Sequence, residues 1–450
     1  MKTVLYGREI LLSELPREMQ TKIANIPNIQ QVKGAVAETS PPICSRCQAE
    51  MIAVRAEECI CKSACAYCRN CIQMGKVRAC STLYSLTEPN AFSQQEEKLL
   101  AWEGVLSEQQ SEAAQAIIQS IDANETRLLW AVAGAGKTEM LFPGIEYALL
   151  KGKRVGIVTP RVDVALELAP RIQAAFPSVP LAVLYGGMEE PYAYTQIVVA
   201  TTHQLYRFKE AFDVLIIDEI DAFPFHLDDS LQFAAEKARK QTSALIYLSA
   251  TPDEKMQKAV SNKALQATIL PARYHGYKLP VPQTKMCRNW SQKLLTNFPK
   301  TSFGKMFKQK LQEERKFLVF APNIEWMGKL EKTLRKLYPN IPFEAVSSED
   351  PKRKEKVMQM RRNELQLLIS TTILERGVTF PNIDVLVIGA EDRIFTESAL
   401  VQIAGRCGRA ADFPTGDVIY FHDGQSIAMK KAIRQIKKMN HLAKERNLIQ

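Results

Sequence analysis

Apolar positions fall into a repeating rhythm from residue 128 onward. Leu128-Leu129-Trp130 is the first short apolar run, followed by runs at 154–158, 180–184, 197–200, 214–217 and 244–248, with helix-length amphipathic stretches between them. Apolar runs without in-and-out alternation predict strands buried on both faces, and strands separated by helices predict a parallel sheet. A connector is expected over 266–282, where Pro271, Pro280 and Pro282 cluster. The rhythm then resumes at 317–320 and runs through 367–370, 384–388 and 418–421. The expected class is α/β: two lobes of parallel sheet over 105–283 and 284–450, behind a region at 1–104 that lacks this rhythm. Residues 1–38, broken by Pro16 and Pro27, read as a small strand-and-helix lead-in.

The first run leads into Ala131-Val-Ala-Gly-Ala-Gly-Lys137-Thr138 and a helix-compatible segment at 139–150. Small residues between a buried strand and a helix let successive backbone N–H groups cradle phosphate oxygens, and the helix adds its positive end. Gly134 and Gly136 supply the turn, Lys137 would reach the β- and γ-phosphates, and Thr138 would ligate Mg²⁺. Ala131 stands where the strict pattern has its first glycine. The stretch therefore predicts ATP binding.

Two later strands end in chemistry. Run 214–217 delivers Asp218-Glu219-Ile220-Asp221 at its carboxyl end. There Asp218 would hold Mg²⁺ and Glu219 would orient and deprotonate water. Run 244–248 delivers Ser249-Ala250-Thr251. Upstream, a helix over 107–121 is expected, with Ser107 as its N-cap. Its Gln110 offers a donor and an acceptor to an adenine edge, unless it is an ordinary exposed glutamine.

Eight of the ten cysteines lie between Cys44 and Cys80, and none of the five histidines joins them. Cys44-x-x-Cys47 and Cys68-x-x-Cys71, 20 residues apart, match two knuckles on one tetrahedral Zn²⁺. Cys59, Cys61 and Cys65 offer a rival knuckle or a second site. Eight thiols also leave an iron–sulfur cluster open.

Composition adds less. The balance of 59 basic against 49 acidic residues gives +10, a weak pointer to polyanions, with basic clusters at 285–316 and 430–446 that would otherwise be solvated faces. The opening twelve residues lack a leader's apolar core, and no apolar run approaches the ~18 residues of a membrane span, so a cytoplasmic setting is expected.

The ordered set LSEQQ (106–110), AGAGKT (133–138), TPR (159–161), TTHQL (201–205), DEID (218–221), SAT (249–251), TTILERG (371–377) and QIAGRCGR (402–409) resembles superfamily 2 helicases and translocases. The resemblance covers roughly 105–425 and implies two RecA-like lobes preceded by a small cysteine-rich zinc domain. It also implies that Gln402, Arg406 and Arg409 act on the γ-phosphate from the second lobe. Thr159, Arg161, Thr201, Thr202, Thr371 and Thr372 would touch the nucleic-acid backbone without sequence preference. Ser249 and Thr251 would link nucleotide state to strand contact.

The cysteine block ahead of lobe one, with Cys68-Arg-Asn-Cys71-Ile-Gln-Met-Gly and Asp218-Glu-Ile-Asp-Ala-Phe-Pro, looks like the ComFA-type competence ATPases of Gram-positive bacteria. That family implies a single-stranded-DNA-stimulated ATPase for uptake of transforming DNA. Its implied cofactors are ATP, Mg²⁺ and Zn²⁺. Its implied partners are a phosphoribosyltransferase-like competence protein and the membrane uptake channel, at the inner face of the membrane, with room for an oligomer. A primosomal-type replication-restart helicase is the alternative, although its cysteines interrupt the second lobe. A DEAD-box RNA helicase lacks such a cysteine block, and a non-hydrolysing scaffold would not need Lys137, Glu219 and Arg409.

Overall fold

The computed structural model describes residues 2–36, 40–93, 97–188, 190–375 and 380–449; Arg376 and Gly377 of the 371–377 motif lie outside them. The chain forms two compact units, Met1–Leu129 with Thr138–Thr268, and Trp130–Lys137 with Ile269–Gln450.

The first unit begins with a three-stranded antiparallel sheet in the order Ile10–Leu11, Thr82–Ser85, Gln30–Lys33. A small core of Leu5, Ile10, Leu15, Met19, Ile23 and Leu86 lies beneath it. The cysteine block departs from one of these strands and returns on another, so the sheet clamps both ends of it. Two hairpins span the block, Ala35–Val36 with Ile43–Cys44 and Ile52–Val54 with Cys65–Tyr67.

Next come seven strands: β1 (Thr126–Ala131), β2 (Val155–Thr159), β3 (Leu181–Leu184), β4 (Ile197–Thr201), β5 (Phe212–Ile217), β6 (Arg239–Ser249) and β7 (Gln266–Leu270). Their spatial order is β3-β4-β2-β5-β6-β1-β7. Residues of β2 and β4 are all buried, as near-continuous apolar runs require. β5 runs parallel to both β2 and β6, aligning Val214 with Val155 and with Ala244. The register brings the carboxyl ends of these strands to one edge, where their motifs follow. The helix expected at 107–121 spans Glu108–Ala123 and stops where Asn124 turns left-handed at φ 53°.

The second unit carries β8 (Gln283–Met286), β9 (Lys316–Phe320), β10 (Phe343–Val346), β11 (Leu367–Ser370), β12 (Ile383–Ile388) and β13 (Val418–His422). They lie in the order β8-β13-β12-β9-β11-β10, and every adjacent pair is parallel. An aromatic cluster packs on this sheet, with Phe298 set edge-on against Phe303 and Phe307, and Phe307 against Phe317.

Two expectations change. The interval 266–282 is not all connector, because Thr268-Ile269-Leu270 completes β7 and Pro271 ends it. β8 gives no signal in the sequence because an edge strand with two exposed residues shows no apolar run. The basic cluster at 285–316 is not one solvated face either. Lys310 is only 3% exposed and binds Asp384 at 2.8 Å, and Arg315 binds the same carboxylate at 2.9 Å.

The 430–446 cluster lies mostly on the helix Ile427–Glu445, whose Met429, Ala432, Ile436 and Met439 are buried. Among the described residues no helix is long and apolar enough to cross a membrane.

Candidate functional site

Gly134 and Gly136 turn the phosphate loop through φ +87° and +74°, a region that side chains rarely adopt. The turn leads directly into the helix Lys137–Leu150. This is the backbone a phosphate cradle needs, so the residues fit a nucleotide's phosphates. A Cβ at Gly134 would meet Arg273 Cγ at 3.4 Å.

Arg273 was not singled out in the sequence. It is 1% exposed, its Nε donates to Ala133 O at 3.3 Å and its Nη2 to Gly405 O at 3.3 Å, and Nη1 donates to Gly408 O. Burial, then the charge of Arg409, lowers it to about 10. One guanidinium thus holds the phosphate loop and the turn that carries Arg406 and Arg409. Arg406 Nε donates to Glu375 O at 2.9 Å, and Arg409 Nε donates to Gly405 O at 3.0 Å. Gln402 lies on the buried side of the helix Glu397–Ala404.

β5 leads into Asp218, whose N–H donates to Val158 O at 2.8 Å, and whose Oδ1 accepts from the Glu219 N–H at 2.8 Å. Glu219 adopts φ 55°, a left-handed setting that costs a non-glycine residue of order 1 kcal/mol and recurs at functional sites. Beyond it, Asp221 accepts from Ser249 Oγ at 2.7 Å and from Thr251 Oγ1 at 2.7 Å. The fourth residue of the D-E-I-D motif therefore ties β5 to the motif following β6. Gln110 is buried, and its Oε1 accepts from the Ser107 N–H at 2.8 Å. Ser107 is the N-cap residue, as expected, in an extended conformation, and Gln110 reaches back from the first turn to satisfy its N–H.

The six candidate backbone-contact residues differ in setting. Thr159 and Thr201 are cross-strand partners closing β2 and β4, and Thr202 follows directly. The hydroxyls of Thr159 and Thr202 are buried with no hydrogen-bond partner among the described residues. Arg161 is forked on Asp163 at 2.9 and 3.1 Å. Thr371 and Thr372, in the other unit, are partly exposed.

Cys44, Cys47, Cys68 and Cys71 are all buried, with sulfurs within 4.8 Å of one another. A Zn–S bond of about 2.3 Å makes tetrahedral edges of about 3.8 Å. Cys47–Cys68 at 3.4 Å and Cys44–Cys71 at 4.0 Å bracket that value. Four buried thiols aimed at one point fit a structural Zn²⁺. Gln48, at φ 61°, and Gly75, at φ +99°, turn the chain after each knuckle.

Buried charges fasten this domain to the helical segments Thr202–Arg207 and Asp229–Ala238 of its own unit. Arg46, inside the first knuckle, is fully buried and donates to Met74 O at 3.0 Å and to Glu14 Oε2 at 2.5 Å. Arg207 binds the other Glu14 oxygen at 2.7 Å. Lys237 donates to Glu9 Oε1 at 2.9 Å and to Arg46 O at 2.8 Å. Behind them Glu88 and Arg154, both fully buried, pair at 2.5 Å.

Residues 1–85 match the ComFA N-terminal domain, residues 103–254 the type III restriction enzyme res subunit, and residues 301–411 the helicase conserved C-terminal domain. Competence protein ComFA of Bacillus subtilis is 48% identical over 377 residues, covering 84% of this chain and 81% of its own. Competence protein ComFA of Streptococcus pneumoniae is 38% identical over 438 residues, covering 96% and 97%. In fold, the chain resembles S. cerevisiae Dbp5 bound to RNA and ADP BeF3 (TM-score 0.52, 14% identity, covering 74% of this chain and 92% of that one). It also resembles RecG bound to a three-way DNA junction (TM-score 0.51, 15% identity, covering 77% and 47%). The chain belongs to the ComFA family of competence proteins, and its two parallel-sheet lobes are those of a superfamily 2 helicase-type ATPase.

Proposed function

We propose that this chain is an ATP-driven motor that moves along single-stranded DNA and draws the transforming strand into the cytosol. The observation that carries the reading is the bonding of Asp221 to Ser249 and Thr251, next to the strained Glu219. It joins the hydrolytic carboxylates to a second strand end, so a change at one is felt at the other.

In this reading Gln110 recognises the adenine edge and the N–H groups around Gly134 and Gly136 take the phosphates. Lys137 neutralises the β- and γ-phosphates, and Thr138 and Asp218 hold Mg²⁺, which supplies positive charge to the leaving phosphates. Glu219 orients a water against the γ-phosphorus and accepts its proton. Gln402, Arg406 and Arg409 donate to the γ-phosphoryl oxygens, where planar donors stabilise spread charge. Thr159, Arg161, Thr201, Thr202, Thr371 and Thr372 hold the strand by its backbone, so grip is independent of sequence. Zn²⁺ on Cys44, Cys47, Cys68 and Cys71 fixes the N-terminal domain over 1–104, ahead of lobes at 105–283 and 284–450. A phosphoribosyltransferase-like competence protein and the membrane uptake channel are the partners at the inner face of the membrane.

Steady-state ATP hydrolysis with no polymer, single-stranded DNA, duplex DNA and RNA tests the reading, beside a Glu219→Gln control. Stimulation by single-stranded DNA, lost in the control, supports it. Stimulation by RNA alone, or by no polymer, overturns it.

A further inference from the structure

A second set of thiols converges outside the site described above. Cys59, Cys61 and Cys65 lie before and at the start of the strand Cys65–Tyr67, and Cys80 reaches them from the turn before Thr82–Ser85. Their four sulfurs lie within 4.8 Å of one another, and Cys59 and Cys80 are 3.6 Å apart. The sequence spacing, C-x-C-x-x-x-C with a fourth cysteine 15 positions on, contains no C-x-x-C knuckle. Only the fold assembles the set.

The local chain gives no other reason for this convergence. Residues 60–64 are all exposed, Ile60 is 77% exposed, and Lys62 turns left-handed at φ 53°. Cys59 is the one buried side chain of the 55–64 segment. Ordering a backbone costs roughly 1–2 kcal/mol per residue, and a loop with no apolar core does not recover that by itself. A disulfide would use two of the four sulfurs and leave the other pair unexplained.

A single tetrahedral ion uses all four, with the same ~3.8 Å edges as a tetrathiolate Zn²⁺ site. A cluster of several irons would hold its thiolates further apart. Ser63 adds a donor, its hydroxyl lying 3.3 Å from Cys61 Sγ, as an outer hydrogen bond to a metal-bound thiolate would.

We propose that Cys59, Cys61, Cys65 and Cys80 form a second zinc site, independent of the Cys44/Cys47/Cys68/Cys71 site and more labile because its sulfurs are partly exposed. The domain then carries two zinc ions of unequal accessibility. The inner one, ringed by fully buried sulfurs, fixes the knuckles, and the outer one fixes the 55–65 loop. This inference does not depend on the motor reading.

The test is zinc content by native mass spectrometry and by a chromogenic chelator, on full-length chain purified under reducing conditions with added zinc. Two equivalents are expected, one released quickly and one slowly. Cys61→Ser with Cys80→Ser should lose the fast equivalent alone and keep the wild-type circular dichroism, because that loop contributes no core. Cys68→Ser should remove the slow equivalent instead. One equivalent in the wild type would overturn the proposal. So would two equivalents in the Cys61/Cys80 variant, or a mass lower by a pair of hydrogens with Cys59 linked to Cys80.

Discussion

The Thr251 hydroxyl donates a 2.7 Å hydrogen bond to Asp221 Oδ2, while Ser249 holds Oδ1 at the same distance. Asp221 thus ties the Ser249–Thr251 strand end to the turn that contains Glu219. Ser249→Ala with Thr251→Ala should leave ATP hydrolysis without polymer within about 2-fold of wild type. Removing two donors to a part-buried carboxylate should cost about 1–3 kcal/mol in urea unfolding. Polymer-stimulated movement should fall by at least tenfold, which separates coupling from catalysis.

Arg273 gives a second prediction. Its three bonds, to Ala133, Gly405 and Gly408, use the planar fork, which a lysine cannot reproduce. Arg273→Lys should lower kcat/KM for ATP by about 10- to 100-fold, a loss of roughly 1.4–2.7 kcal/mol of transition-state stabilisation. Steady-state kinetics of the folded variant would check it.

The Glu14 carboxyl gives a pH dependence. Burial alone would raise it, but Arg46 and then Arg207 hold it below its ordinary 4.5. A carboxyl depressed in the folded state contributes stability that is present above its unfolded value and lost as pH falls through its folded value. Glu14→Gln should therefore destabilise the first unit by about 3 kcal/mol at pH 7, because it strands the buried Arg46 charge. Urea unfolding at descending pH should show the gap between wild type and variant narrowing below about pH 4.5.

Asp384 and Asp417 separate buried from exposed pairing. Both bind Lys310, yet their side chains are 1% and 46% exposed. Although burial opposes it, Arg315 and then Lys310 hold Asp384 below the usual carboxylate range. Asp384→Ala should cost about 3–5 kcal/mol, whereas Asp417→Ala should cost about 1 kcal/mol or less. Chemical unfolding of the second unit would read both.

What could be read from the chain follows from which forces are local. The strand–turn–helix around Gly134 and Gly136 and the strand end before D-E-I-D were legible because a buried strand, a turn and a motif are contiguous in sequence. The knuckles Cys44/Cys47 and Cys68/Cys71 were legible because two thiolates on one turn fix their own spacing. Arg273 was not, since its partners stand more than a hundred positions away and nothing around Pro271 marks it. Lys310 counted as a surface charge because its burial depends on Asp384, which sits inside an otherwise apolar strand. Cys80 could not be matched with Cys59, Cys61 and Cys65, because only the return strand Thr82–Ser85 brings it to them.

The most direct test of the central claim is movement itself. Stopped-flow fluorescence from single-stranded DNA labelled at one end, over a series of strand lengths, reports arrival of a motor. With ATP, the time to the signal should grow linearly with strand length, and the Glu219→Gln variant should give no such signal. A signal time independent of length, despite DNA-stimulated hydrolysis, would contradict translocation.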